Sequence, residues 1–134
     1  MMTQEEDATN VPKDTDTVHV KSYLKTRYVR NKRLLEIVAS LNCQHCGHYQ
    51  SQACHSNWHG GKGRGIKASD EYVAALCQKC HFEVDQGVRL SKAERQEMWI
   101  NAHLKTLHFL FLTDQWPRGV PASDLYLKRY LPLA

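Results

Sequence analysis

Leu34, Ile37, Val38 and Leu41 recur at i, i+3, i+4 and i+7, a spacing that collects side chains on one helical face. A helix is therefore expected from about Tyr28 to Leu41, with Arg30, Arg33 and Glu36 off that face and Asn42 ending it. Residues 50–57 and 71–76 are short runs suited to pairing as antiparallel strands, with the glycine-rich stretch between them as the connection. Cys80-His81-Phe82-Glu83-Val84-Asp85 reads as the opening of a short helix that Gly87 terminates. Ser91-Lys92-Ala93-Glu94 is a capping box that opens the longest helix, 91–112, with Ala93, Ile100, Leu104, Leu107 and Phe111 as its apolar stripe. His103 and His108, on that helix, are expected at the core edge or surface and not as ligands. A strand pair among helices makes the fold α+β.

Residues 1–18 are polar, aperiodic and contain Pro12, which predicts a disordered acidic start. Residues 19–113 then form the folded unit. Residues 114–134 form a tail with Pro117, Gly119, Pro121 and Pro132, in which only Asp124 to Tyr130 is amphipathic. The 134 residues make one domain, and 42% apolar residues suffice for a core. No apolar run approaches the roughly 18 to 20 residues that cross a bilayer, so no membrane is expected.

The formal charge of +4 hides an asymmetry, since residues 1–16 sum to −4 and the remainder to +8. Lys21, Lys25, Arg27, Arg30, Lys32 and Arg33 all fall before any acid in the stretch 17–35, with Tyr23 and Tyr28 among them. A segment of that kind suits a phosphate backbone, and it equally suits a solvated helix face.

The chemistry is concentrated around two Cys-x-x-Cys pairs, Cys43/Cys46 and Cys77/Cys80. Disulfides would need an oxidising compartment, and the acidic start is the opposite of an export signal, so a reduced, cytoplasmic protein is expected. There, four thiolates in paired turns read as one structural zinc site. Cys54 is left over, as a small buried residue or a neighbour of the active site.

Between the pairs lie 30 residues holding His55, Asn57, His59, the run Gly60-Gly61-Lys62-Gly63-Arg64-Gly65, Lys67 and Asp70. A purely structural zinc module has no need of this polar equipment. The glycine run lacks the ending of a P-loop and the spacing of a dinucleotide fingerprint, which excludes nucleotide binding on that ground. Its backbone amides with Lys62, Arg64 and Lys67 suit a phosphate. On a helix, His81 and Asp85 share a face and offer an N and O pair to Mg, Mn or Zn. His55 supplies the base that phosphodiester hydrolysis needs.

In this order and spacing the residues resemble the HNH, or ββα-metal, nucleases framed by a zinc knuckle. The likeness is nearer to small phage- and prophage-encoded HNH-type proteins of the YbcO-like kind. Ala53-Cys54-His55-Ser56-Asn57, Gly61 to Asp70 and Ala74 to Asp85 carry it, and it covers about residues 28–112. The resemblance implies a ββα core closed by the four-cysteine zinc, an N-terminal basic helix and a long C-terminal helix. It further implies a DNA endonuclease of a bacterial host cell, serving recombination, repair or DNA processing. His55 would be the general base, and His81 and Asp85 would hold a catalytic Mg, Mn or Zn ion. His59 and Asp70 are the candidates for its remaining positions, Asp70 alternatively fixing the loop, because Cys54 stands where the family often has another ligand. Lys62, Arg64, Lys67, Arg30, Lys32 and Arg33 would grip phosphates. A double-strand cut by one-site subunits needs two copies, which is the case for a homodimer. The competing expectation is a zinc-stabilised nucleic-acid-binding module without catalysis, and a redox protein using the cysteine pairs is a third.

Overall fold

The computed structural model describes residues 28–63 and 65–131. The acidic start, the bases at 21, 25 and 27, Arg64 and residues 132–134 lie outside the described residues. Among those described there are four helices and one two-stranded antiparallel sheet, in the order α1 (Lys32–Ala39), β1 (Gln52–His55), β2 (Val73–Leu76), α2 (Gln78–Gln86), α3 (Lys92–Leu112) and α4 (Asp124–Tyr130). The fold is α+β.

The first helix starts later than the apolar spacing predicts. Asn31 caps it, its side chain accepting from Leu34 N at 2.8 Å. Residues 28–31 are instead drawn onto the chain some 40 positions ahead. Val29 N–H donates to Ser69 Oγ (2.7 Å), Asp70 N–H to Val29 O (2.9 Å) and Asn31 N–H to Asp70 Oδ2 (2.7 Å). These bonds satisfy the backbone that a longer helix would have used.

Strands β1 and β2 pair with Cys54 opposite Ala74 and His55 opposite Val73. All four β2 residues are buried, and their alternation serves two cores. Val73 and Ala75 pack with Leu34, Ile37, Val38 and Leu110, while Ala74 and Leu76 pack with Cys54, Val84, Met98, Trp99 and Ala102. The strand connection holds Gly60 at φ +73°, where an added Cβ would lie 2.6 Å from the Tyr72 ring.

The capping box of α3 is present in full, Ser91 Oγ accepting from Glu94 N and Glu94 accepting from Ser91 N. Its buried face corrects the expected stripe, since it comprises Met98, Trp99, Ala102, His103, Thr106, Leu107 and Leu110. Of the expected five only Leu107 is buried, and Ala93 and Phe111 are exposed. Polar residues took core positions because each is satisfied there. Trp99 donates to Cys54 O at 2.9 Å, and Thr106 Oγ1 accepts from Ala75 N (3.0 Å) while donating to Ala102 O (2.7 Å). His103 is fully buried and stacks on Trp99, with Nδ1 2.7 Å from Val73 O and Nε2 2.7 Å from Ser123 Oγ. A carbonyl can only accept, so Nδ1 carries the proton and Nε2 accepts from Ser123. Burial lowers its pKa to about 4 and keeps it neutral. It is a core residue, not an edge one.

Residues 114–131 pack on this body. Ser123 caps α4 and meets His103, Tyr72 OH bonds Asp124, and Tyr126 stacks on Phe111 at 5.1 Å. No described helix is long and apolar enough to cross a membrane.

Candidate functional site

The first Cys pair sits in a tight turn. Gly47, at φ +85°, lets its N–H donate to Cys43 O (2.9 Å), and Cys43 N–H donates to His48 O (2.8 Å). His45 and Cys46 N–H point at Cys43 Sγ, both 3.4 Å away. The second pair ends β2 and begins α2, Gln44 N–H reaching across to Ala75 O (2.8 Å). All five described cysteines are free, and the sulfurs of Cys43, Cys46, Cys77 and Cys80 lie within 4.8 Å of one another. Cys46 and Cys77 sulfurs are 3.6 Å apart. A tetrahedral zinc with Zn–S near 2.3 Å needs its sulfurs about 3.8 Å apart, so the four cysteines can hold a zinc ion. Burial opposes ionisation of Cys43, but the N–H groups of Cys46, Cys77 and His45 outweigh it and bring its pKa down to about 6. Burial and then the neighbouring thiols push Cys80 up. Four thiolates this close need a cation to coexist.

β1 also delivers His55 to a cavity of about 440 Å³ that is lined as well by Leu35, Asn57, Lys62, Lys67, His81 and Asp85. His55 Nε2 lies 2.8 Å from Asp70 Oδ1. Asp70 is buried, and its other oxygen accepts from Asn31 N–H, so it can only accept from the imidazole. That assigns the proton to Nε2 and leaves Nδ1 as a lone pair, with no hydrogen-bond partner among the described residues.

The second half of the cavity comes from α2. His81 Nε2 is 3.1 Å from Asp85 Oδ2, and His81 Nδ1 is 2.7 Å from Gln52 Oε1. An amide oxygen accepts, so Nδ1 donates to Gln52, and Nε2, beside the carboxylate, is the nitrogen that a metal ion would take. Asn57 Nδ2 donates to Asp85 Oδ1 at 2.7 Å. Burial raises the Asp85 carboxyl, but His81 and Asn57 outweigh it and hold its pKa below the usual range. Ligand atoms of Cys54, His81 and Asp85 lie within 4.8 Å of one another. Burial, and then the Asp85 charge, push the Cys54 thiol well above its ordinary pKa.

Asp70 stands outside that trio, its two oxygens bonded to His55 and to the start of α1. His59 is also outside it, its Nδ1 3.3 Å from Ser56 Oγ and its ring stacked toward Trp99. Of the cations, Lys62 and Lys67 line the cavity. Arg30 is turned onto its own fold, donating to Ala68 O (2.6 Å) and Lys67 O (3.0 Å) beside Asp70. Lys32 and Arg33 are exposed on α1, and Arg33 lines a separate hollow with Trp116 and Arg118. The sequence put Cys54 at the edge of the site, at a position where the family often has a ligand, but assigned Gln52 and Asn57 no supporting role. For Gln52 the one available signal was its period-2 spacing from Cys54 in β1, which puts both on one face.

The family described as "Protein of unknown function (DUF968)" matches residues 2–104. This chain belongs to the DUF968 family. No curated protein and no solved structure matches it. In this DUF968 chain the matched region contains both the four-cysteine site and every residue of the His55–His81 cavity, whereas α4 lies beyond it.

Proposed function

We propose that this DUF968 protein is a metal-dependent HNH-type endonuclease that hydrolyses phosphodiester bonds in DNA, working in a reducing cytoplasm. The observation that carries the reading is that His55, whose Nδ1 has no hydrogen-bond partner among the described residues, lines one cavity with His81, Asp85, Lys62 and Lys67, while the buried Cys54 sulfur lies within 4.8 Å of the His81 and Asp85 ligand atoms. A general base, a cation site and phosphate-binding amines are the parts such a hydrolysis needs.

His55 Nδ1 takes a proton from water as the water oxygen bonds to phosphorus, and Asp70 steadies the imidazolium that forms. The P–O3′ bond breaks, and the 3′ oxygen leaves with a proton from solvent. A divalent ion held by His81, Asp85 and Cys54 would offset charge on the phosphoryl oxygens. Lys62 and Lys67 hold the neighbouring phosphates, so binding weakens steeply with salt and reads little sequence through these contacts.

Replacing His55 by Ala in zinc-loaded protein tests this. Nicking of supercoiled plasmid with added Mg, Mn or Zn should fall about 10²- to 10⁴-fold while DNA binding persists. Binding by the intact protein without cleavage under any of these ions would favour the competing non-catalytic zinc module.

A further inference from the structure

A cleft of about 800 Å³, larger than the His55–His81 cavity, lies beside the cysteine knuckle, between the end of α1, residues 48–52 and the first turn of α2. Its lining is unlike a phosphate site, because Lys79 is the one Lys, Arg, Asp or Glu residue in it. Three amides, Gln50, Gln52 and Gln78, line it instead. So does Tyr49, 72% exposed and set against the His48 ring at 4.7 Å between centroids. Ser51 Oγ, also in the lining, is buried without a hydrogen-bond partner. The cleft is joined to the cavity through a single side chain, since Gln52 lines the first and accepts from His81 of the second.

An aromatic face beside amides, with little charge, matches a flat neutral group that bonds through its edges. We propose that the cleft takes an unpaired nucleobase, stacked on Tyr49 and bonded by the amides of Gln50 and Gln78, from the nucleic acid whose backbone lies in the His55–His81 cavity. The proposal rests on the endonuclease reading and names its substrate class. In a continuous duplex the bases are stacked inside and cannot reach Tyr49. The preferred substrate therefore has a single-stranded or bulged nucleotide next to the scissile phosphate.

Full-length, zinc-loaded protein carrying His55→Ala, which prevents cutting, is titrated by fluorescence anisotropy with three oligonucleotides: a blunt duplex, the duplex with one bulged thymidine, and the same bulge made abasic. The base should tighten binding about tenfold over the abasic bulge. Adding Tyr49→Ala should erase that difference and leave blunt-duplex affinity unchanged, while Tyr49→Trp should retain it. Tyr49 is exposed, so its removal leaves folding intact. Equal affinity for base and abasic bulges overturns the proposal. So does a Tyr49→Ala effect equal on all three. If the His55-intact chain nicks plasmid but Tyr49→Ala changes nothing, this inference alone fails. Base discrimination without nicking would sink the endonuclease reading and leave the cleft assignment standing.

Discussion

Asp70→Asn is the most exacting test of the His55 geometry, because it removes one acceptor while keeping the shape. Both carboxylate oxygens are engaged, Oδ1 by His55 Nε2 at 2.8 Å and Oδ2 by Asn31 N–H at 2.7 Å. The Asn31 donor is backbone at the start of α1 and cannot change its role, so the amide must turn its carbonyl to Asn31 and its NH₂ to His55. Arg30, about two-fifths exposed in its side chain, can swing out of the way. Histidine then has to accept at Nε2 and carry its proton on Nδ1, which abolishes the lone pair that the proposed base needs. A general base contributes about 10²- to 10⁴-fold, and the equivalent carboxylate-to-amide change behind a catalytic histidine elsewhere costs about 10⁴-fold. Plasmid nicking should fall by at least about a hundredfold. Stability should fall by no more than about 1–3 kcal/mol, because both hydrogen bonds are re-formed but each loses its charged partner. Long-range ¹H–¹⁵N NMR of the His55 ring reads the tautomer directly, and urea titration reads the stability. A ring still protonated at Nε2 in Asp70→Asn, with nicking at the wild-type rate, would refute the reasoning.

Three further outcomes are expected. Stripping zinc with a strong chelator, or replacing Cys43 by Ser, should remove on the order of 10 kcal/mol and unfold the domain, a loss comparable to its whole stability; circular dichroism that survives complete metal removal would contradict this. The trio of a thiol, an imidazole and a carboxylate favours Zn or Co over Mg; elemental analysis should find one more tightly held zinc per chain in the intact protein than in Cys54→Ser, and equal content would exclude Cys54 as a ligand. His103 is held neutral with a pKa lowered from 6.5 to about 4. Its contribution is full above pH 6.5, and as pH falls toward 4 the unfolded chain takes up a proton that the fold refuses. Stability should therefore drop by up to about 3 kcal/mol across that window, measured by urea titration. His103→Gln should flatten the window, and an unchanged slope would assign it to other groups.

The local signals in the chain were readable because they are settled within a few residues. The Cys-x-x-Cys spacing, the Ser91–Glu94 box, Gly87 as the stop of α2 and the two strands all appear in the structure. What stayed hidden depends on partners far along the chain. Nothing near Tyr28 announces that Ser69 and Asp70 will hold residues 29–31 extended. Hydropathy leaves His103 at the core edge or surface and Thr106 off the apolar stripe, and only Val73, Ser123 and Ala75 explain why they are buried. The site divides the same way. His81 with Asp85 follows from helical spacing, but the Asp70–His55 contact bridges 15 residues through the strand connection. The Gln52–His81 contact spans 29 residues and needs the whole ββα arrangement.

Residues 47–76 leave the knuckle after Cys46 and return at Cys77, whose sulfurs are 3.6 Å apart. The whole excursion is thus a stem-anchored insert. Lengthening such a loop is inexpensive, about 0.6 kcal/mol for each doubling. A lineage could therefore extend the glycine segment between Gly60 and Ile66 and reshape what sits over the cavity, leaving the metal clasp and both cores untouched. That separation makes the segment a natural place for change, and a practical one for grafting a reporter peptide.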